Sequence, residues 1–133
     1  MSHSSRRAFL TAATSLVIFG AARKRVPNTE KKILVHHVFF WLKNPASKED
    51  LAKLAEGVRS LNKIEAIRMI HVGFPADTEK RSVVDASYSV SELIFFDDVS
   101  GQNTYQNHPI HKKFVENYSS LWEKVIVYDS MDI

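Results

Sequence analysis

The chain has no cysteine, which excludes a disulfide framework and a cysteine-borne lipid anchor. It has no acidic residue before Glu30 and no internal repeat or low-complexity stretch. Its longest early apolar stretch, Ala12 to Ala22, falls short of the ~20 residues that a membrane-spanning helix needs. It also lacks a basic face. Of 18 Lys and Arg, seven (Arg6, Arg7, Arg23, Lys24, Arg25, Lys31 and Lys32) precede Ile33, whereas only Glu30 of the 15 acids does. From Ile33 onward the chain therefore holds 11 basic and 14 acidic residues, a net −3, although the whole chain is +3. Nucleic-acid binding loses its electrostatic basis, and no nucleic-acid motif is present.

What remains is an ordinary globular composition, 44% hydrophobic and 25% charged over 133 residues, enough for one domain with a modest core. The first segment stands apart. Ser5-Arg6-Arg7-Ala8-Phe9-Leu10 sets paired arginines before the apolar run, and Gly20-Ala21-Ala22 offers small residues for cleavage, the layout of an export signal. This pattern resembles the twin-arginine signal of exported bacterial proteins. The expected organisation is a signal peptide over 1–22, a linker over 23–32 and a folded domain over 33–133, periplasmic and without a membrane segment once mature.

From Ile33 to Leu42 the chain is β-branched and aromatic on both faces, as in a covered strand; His36, Val38, Phe40 and Leu42 share one face, His37, Phe39 and Trp41 the other. Ser47 with Asp50 three residues on predicts a helix start, and Leu51, Leu54, Ala55, Val58 and Leu61 form its apolar stripe. Strands are predicted over Ile64–Phe74, Tyr88–Phe96 and Val125–Tyr128. Between the last two, Asp97-Asp98 caps a short helix reaching Tyr105 and Pro109 starts another to about Leu121. The order β-α-β-β-α-β predicts an α+β, ferredoxin-like antiparallel sheet with helices on one face. Phe39, Trp41 and Phe95 would then lie on the bare face, which a second copy would cover, giving a homodimer.

Several short motifs carry a family resemblance. His36-x-Val38-x-Phe40-x-Leu42-Lys43, Tyr88 and Phe96 around the third strand, Tyr105-x-x-His108-Pro109-x-His111 with Phe114, and Val125-x-Val127-x-Asp129 together resemble the stress-responsive A/B-barrel (Dabb) family. Trp41 and Ser89 depart from its usual Lys and Asp. The resemblance implies a dimeric α/β barrel with Tyr105, His108, His111 and His36 lining a pocket between sheet and helices. In cyclase-like members it makes the tyrosine and the second histidine the active pair.

The residues themselves leave the chemistry open. Tyr105 and His111 are the candidate catalytic pair, with His111 as a proton acceptor and the Tyr105 hydroxyl as donor to a developing oxyanion. His36, Val38, Phe40, Val90, His108 and Phe114 are the candidate ligand-binding residues. Equally, His108 could simply cap the helix that Pro109 begins, and His36 could be a satisfied core histidine. A metal held by His36, His71, His108 and His111 is a weaker reading, because His-x-x-His alone specifies no site. Glu92, in an otherwise apolar strand, could be a base or a buried partner for Lys or Arg, but reads most simply as an interface charge. The preferred function is an exported dimer that binds a small apolar or aromatic metabolite, with no cofactor. The alternative is a cofactor-independent cyclase, isomerase or lyase. The export reading is checked by changing Arg6 and Arg7 to lysine: precursor should accumulate in the cytoplasm, and unimpaired export would count against a twin-arginine route.

Overall fold

Alternation along the first strand divides the molecule into two faces. In β1 (Leu34–Leu42), Leu34, His36, Val38, Phe40 and Leu42 are buried while Val35, His37, Phe39 and Trp41 are partly exposed, as the two-residue period of a strand requires. The computed structural model describes residues 31–133; the proposed signal over 1–22 lies outside them. After β1 come α1 (Lys48–Ser60), β2 (Met69–Gly73), β3 (Val90–Phe96), α2 (Val99–Asn107), α3 (Pro109–Tyr118) and β4 (Trp122–Met131), with 3-10 turns at Leu61–Lys63 and Ser119–Leu121.

The four strands form one sheet in the order β2-β3-β1-β4, antiparallel throughout, and the helices lie against β1, β2 and β3 on one side. The ferredoxin-like arrangement expected from the element order is present. The expected barrel is not. β2 and β4 each have only one neighbour in the sheet, so the four strands stay open instead of curling round to pair with each other, and the barrel reading is corrected to an open, one-sided sheet.

Local chemistry accounts for most boundaries. The Ser47 hydroxyl accepts from the Asp50 N–H at 3.1 Å and Asp98 accepts from the Gly101 N–H at 2.9 Å, satisfying donors that a helix start leaves free. β2 is shorter than its apolar run because Ile64 and Ile67 belong to a turn, with the Ile67 N–H bonded to the Ile64 carbonyl at 3.1 Å; both pack on the core from there. β4 is longer than expected because β1 offers it a partner from Leu34 to Leu42. Leu54, Val58, Leu61, Ile64, Ile94 and Phe96 are at most 1% exposed, each contributing ~1.5–3 kcal/mol by burial.

Gly57 fixes the approach of α1 to α3. A Cβ there would stand 2.8 Å from three ring atoms of Tyr118, whose ring stacks on Phe114 at 5.5 Å. Gly57→Ala should therefore destabilise by about 1–3 kcal/mol through overpacking, despite the better helix propensity of alanine. Adding Tyr118→Ala should recover part of the loss in urea titrations; a stabilised single variant would show that the ring yields freely.

Candidate functional site

The helix-side residues of β1, β3 and β4 meet α2 and α3 around a cavity of about 160 Å³. Its floor is His36, Val38 and Phe40 from β1 with Glu92 from β3, and its roof is Tyr105, His111 and Phe114. Trp122, Val125 and Val127 of β4 form the open side. The opening follows from topology, because β4 is an edge strand beyond the helices: Val125 and Val127 remain 37% and 46% exposed although they point to the helix side. The walls are aromatic. Phe40, Phe114 and Trp122 lie 5.1–6.2 Å apart between ring centroids, within the range of favourable ring pairing.

Four polar side chains, Tyr105, Glu92, His111 and His36, sit inside this apolar shell. The Tyr105 hydroxyl donates to Glu92 Oε1 at 2.6 Å, both side chains buried. Burial pushes the Glu92 carboxyl up to about 7 against the weaker downward pull of the Tyr105 hydrogen bond. The same burial, together with the Glu92 charge, raises the Tyr105 phenol well above its usual range, so Tyr105 stays neutral and keeps its proton. His111 lies with its ring centroid 4.6 Å from that of Tyr105; burial first, then the nearby His36, lowers its pKa, with a hydrogen bond to the Gln106 backbone pulling the other way. Burial thus favours the neutral form of His111. His36 Nδ1 lies 2.5 Å from Asp129 Oδ1, its cross-strand partner on β4. When neutral, the imidazole donates from Nδ1 and keeps a lone pair on Nε2.

Of the residues expected at the site, Tyr105, His111, His36, Val38, Phe40 and Phe114 come together around the cavity. Val90 and His108 do not line it. Val90 is fully buried in the core. His108 caps α3: its Nδ1 accepts from the Ile110 N–H at 3.1 Å, and its Nε2 faces Glu65 at 3.4 Å. His71 is exposed on the open side of the sheet, across from Leu93 and in line with His37, so the four histidines do not converge. Among the described residues no group of three His, Cys, Asp or Glu side chains is placed to hold a metal.

Two acids take places that the sequence pattern alone does not assign. Glu92 is not an interface charge, since it alternates with Val90 and Ile94 and so faces the helices, 1% exposed. The same alternation carries Val125 and Val127 on to Asp129, beyond the expected strand end.

A ferredoxin-like α+β sheet with a ring-lined, polar-floored cavity on its helix side is the class of protein that fold and site define. The chain belongs to the Dabb family: the model for the stress responsive A/B barrel domain matches residues 34–132. That match starts beyond residues 1–22, and nothing in it supports the twin-arginine signal. A comparison with curated proteins gives no match. Among solved structures, the chain resembles a Mesorhizobium loti Dabb protein with a ferredoxin-like fold (19% identity, TM-score 0.62, 77% of this chain and 98% of that one). It also resembles a dimeric Bacteroides fragilis protein of unknown function (19%, 0.58, 75% and 96%). A third similar structure is the hydroxynitrile lyase of Passiflora edulis (17%, 0.64, 77% and 95%). At such identities the likeness concerns the fold.

Glu92 gives the site a pH signature. With its folded pKa raised from 4.5 to about 7, the folded chain keeps a proton that the unfolded chain has released, so stability falls as pH rises across that window, by on the order of 3 kcal/mol. His111 and His37, both lowered from 6.5, act oppositely and cost stability as pH falls below 6.5. Comparing wild type with Glu92→Gln isolates the acid. In urea titrations the glutamine variant should gain on wild type between pH 5 and 8, and a pH-independent difference would mean that Glu92 titrates as an ordinary carboxyl.

Proposed function

We propose that this chain binds a small apolar or aromatic metabolite in the cavity between sheet and helices. The observation that carries this reading is the cavity itself: the rings of Phe40, Phe114 and Trp122 and four valines wall it, and Glu92, Tyr105, His36 and His111 supply a few convergent polar groups. Ligand sites have this make-up, apolar lining with sparse polar anchors. Its size suits a single-ring molecule, since an apolar cavity of about 150 Å³ accepts benzene.

The reading includes a homodimer in which a second copy covers the open sheet face. Phe39, Tyr88 and Tyr128 pack edge to face there, with Phe39 4.9 Å from Tyr88 and 6.1 Å from Tyr128, while Met69 is 51% and Tyr128 62% exposed. A contiguous ring-rich patch of this kind is costly to leave in water, and the Bacteroides fragilis protein is itself dimeric. Export is a separate proposal that rests on the sequence of residues 1–22 alone.

A second reading, proton transfer without a cofactor, is favoured by one contact: the rings of His111 and Tyr105 are 4.6 Å apart. His111, neutral through burial, would take a proton next to a carbonyl, and Tyr105 would donate to the oxygen that gains charge. The Tyr105 proton is engaged with Glu92, so a substrate oxygen would have to compete for it. The Passiflora edulis lyase gives a precedent for lyase chemistry on this fold.

Thermal shifts test the binding reading, because a ligand that binds only the folded state raises Tm. Ethylbenzene or indole should raise the Tm of the wild type, and Val127→Trp, which fills the open side of the cavity from a half-exposed position, should abolish the shift. No shift in wild type, or an undiminished one in Val127→Trp, overturns it. For the second reading, a β-diketone should be turned over by wild type and bound but left unchanged by His111→Ala; absence of turnover in wild type sinks it.

A further inference from the structure

Glu92 is an unusual neighbour for an apolar ligand. It is the acid buried in the core, 1% exposed, and among the described residues no Lys, Arg or His lies within ion-pair distance of it. Its Oε1 is taken by Tyr105. A carboxylate offers about four lone-pair sites on two oxygens, so this one retains capacity that the Tyr105 hydroxyl does not use. No Lys or Arg lines the cavity either. Whatever enters must face this acceptor without the help of a fixed cation.

That requirement separates ligand classes. A molecule with a hydroxyl can donate to the spare capacity of Glu92 while its ring lies against Phe114 and Trp122. A molecule with a carboxylate would set a second negative charge beside the first with no Lys or Arg in the lining to offset it, and like charges at close range repel. A plain hydrocarbon ring would fit the walls and leave the acceptor unanswered, a loss that falls on affinity.

Resting on the binding reading above, we propose that Glu92 sets the specificity of the cavity, selecting neutral hydroxyl-bearing single-ring molecules of the phenol class over aromatic carboxylates. Around Glu92, β1 supplies His36, which is bonded to Asp129 of β4, α2 supplies Tyr105 and α3 supplies His111. At pH 8 Tyr105 keeps its proton and His111 is neutral, given the directions in which burial moves them, and Glu92 itself is mostly ionised. The selection should be strongest there.

Calorimetric titration of the full chain at pH 8 with toluene, phenol and benzoate provides the test, on wild type and on Glu92→Gln. Phenol should bind wild type at least ~10-fold more tightly than benzoate, the scale expected of one hydrogen bond to a charged group. In Glu92→Gln that preference should shrink to within about threefold, because the amide carries no charge to repel benzoate. Tyr105→Phe is the companion variant should Glu92→Gln not fold. It frees more of the Glu92 carboxyl and should keep the preference or enlarge it. Benzoate binding wild type as tightly as phenol, an unchanged preference in Glu92→Gln, or its loss in Tyr105→Phe would each overturn the assignment of selectivity to Glu92. If none of the three compounds binds wild type, the binding reading itself fails, which is a distinct result.

Discussion

The hydrogen bond from the Tyr105 hydroxyl to Glu92 ties α2 to the middle of the sheet. Glu92 stands opposite Val38 of β1 on one side and Val72 of β2 on the other, so its carboxyl emerges where the sheet is most enclosed. A buried carboxyl without a partner costs several kcal/mol or gives up its charge, and Tyr105 is the group that answers it. α2 is thereby held in one position over β3 and β1. α3 follows directly, since His108 ends one helix and caps the next, and Pro109 supplies a first-turn residue that needs no hydrogen-bond partner. Placing α3 there brings the His111 ring onto Tyr105 and the Phe114 ring over Phe40. One polar contact thus organises the roof of the cavity as well as its floor.

The sheet supplies the second constraint. α1 and α2 sit on β1, β2 and β3, so the outermost strand, β4, meets a helix where Trp122 packs on Phe114 and has its other inward side chains only half covered. Had a helix lain over β4, Val125 and Val127 would have closed into ordinary core. Instead they form the exposed side of a cavity whose other walls come from β1, β3, α2 and α3. The His36–Asp129 pair marks the far end of that opening, with Asp129 half exposed and His36 buried. An imidazole oriented by a carboxylate in this way has a fixed tautomer whenever it is neutral. The orientation comes from strand pairing alone, because β1 and β4 place the two residues opposite each other.

Much of this was legible in the chain. The alternation from Ile33 to Leu42 gave both faces of β1, and Ser47, Asp98 and Pro109 marked helix starts through cap chemistry that acts over three or four residues. What could not be read was pairing. Ile64 and Ile67 look like strand residues in sequence, yet they bury themselves from a turn, because burial is indifferent to backbone conformation. The end of β4 depended on a partner strand some ninety residues earlier, roughly the span that register information must cross and that local pattern cannot. A barrel was inferred by likeness to a family whose name carries the word, whereas closure is a property of strand edges, and here β2 and β4 leave theirs free. Glu92 was legible in principle. Its alternation with Val90 and Ile94 places it under the helices, although a charge in a strand is more simply read as a surface group.

The burial of Glu92 calls for a physical reason. A well-packed apolar pair in place of Tyr105 and Glu92 would avoid desolvating a carboxyl, and such replacements of buried polar pairs are often neutral or stabilising. The fold does not need an acid at this position to form a core, since Leu54, Val58, Ile94 and Phe96 already make one. Nor does Glu92 neutralise any cation of the described chain. A buried group that costs stability and lines the one wall where β3 meets the cavity is placed where a local rule is broken at a functional position. His108 provides the contrast. It sits in the most distinctive motif of the sequence, yet a cap bond to Ile110 and its contact with Glu65 account for it fully. The residue that stood out by pattern is explained by helix geometry, and the residue that pattern made unremarkable is the one whose burial structure alone does not explain.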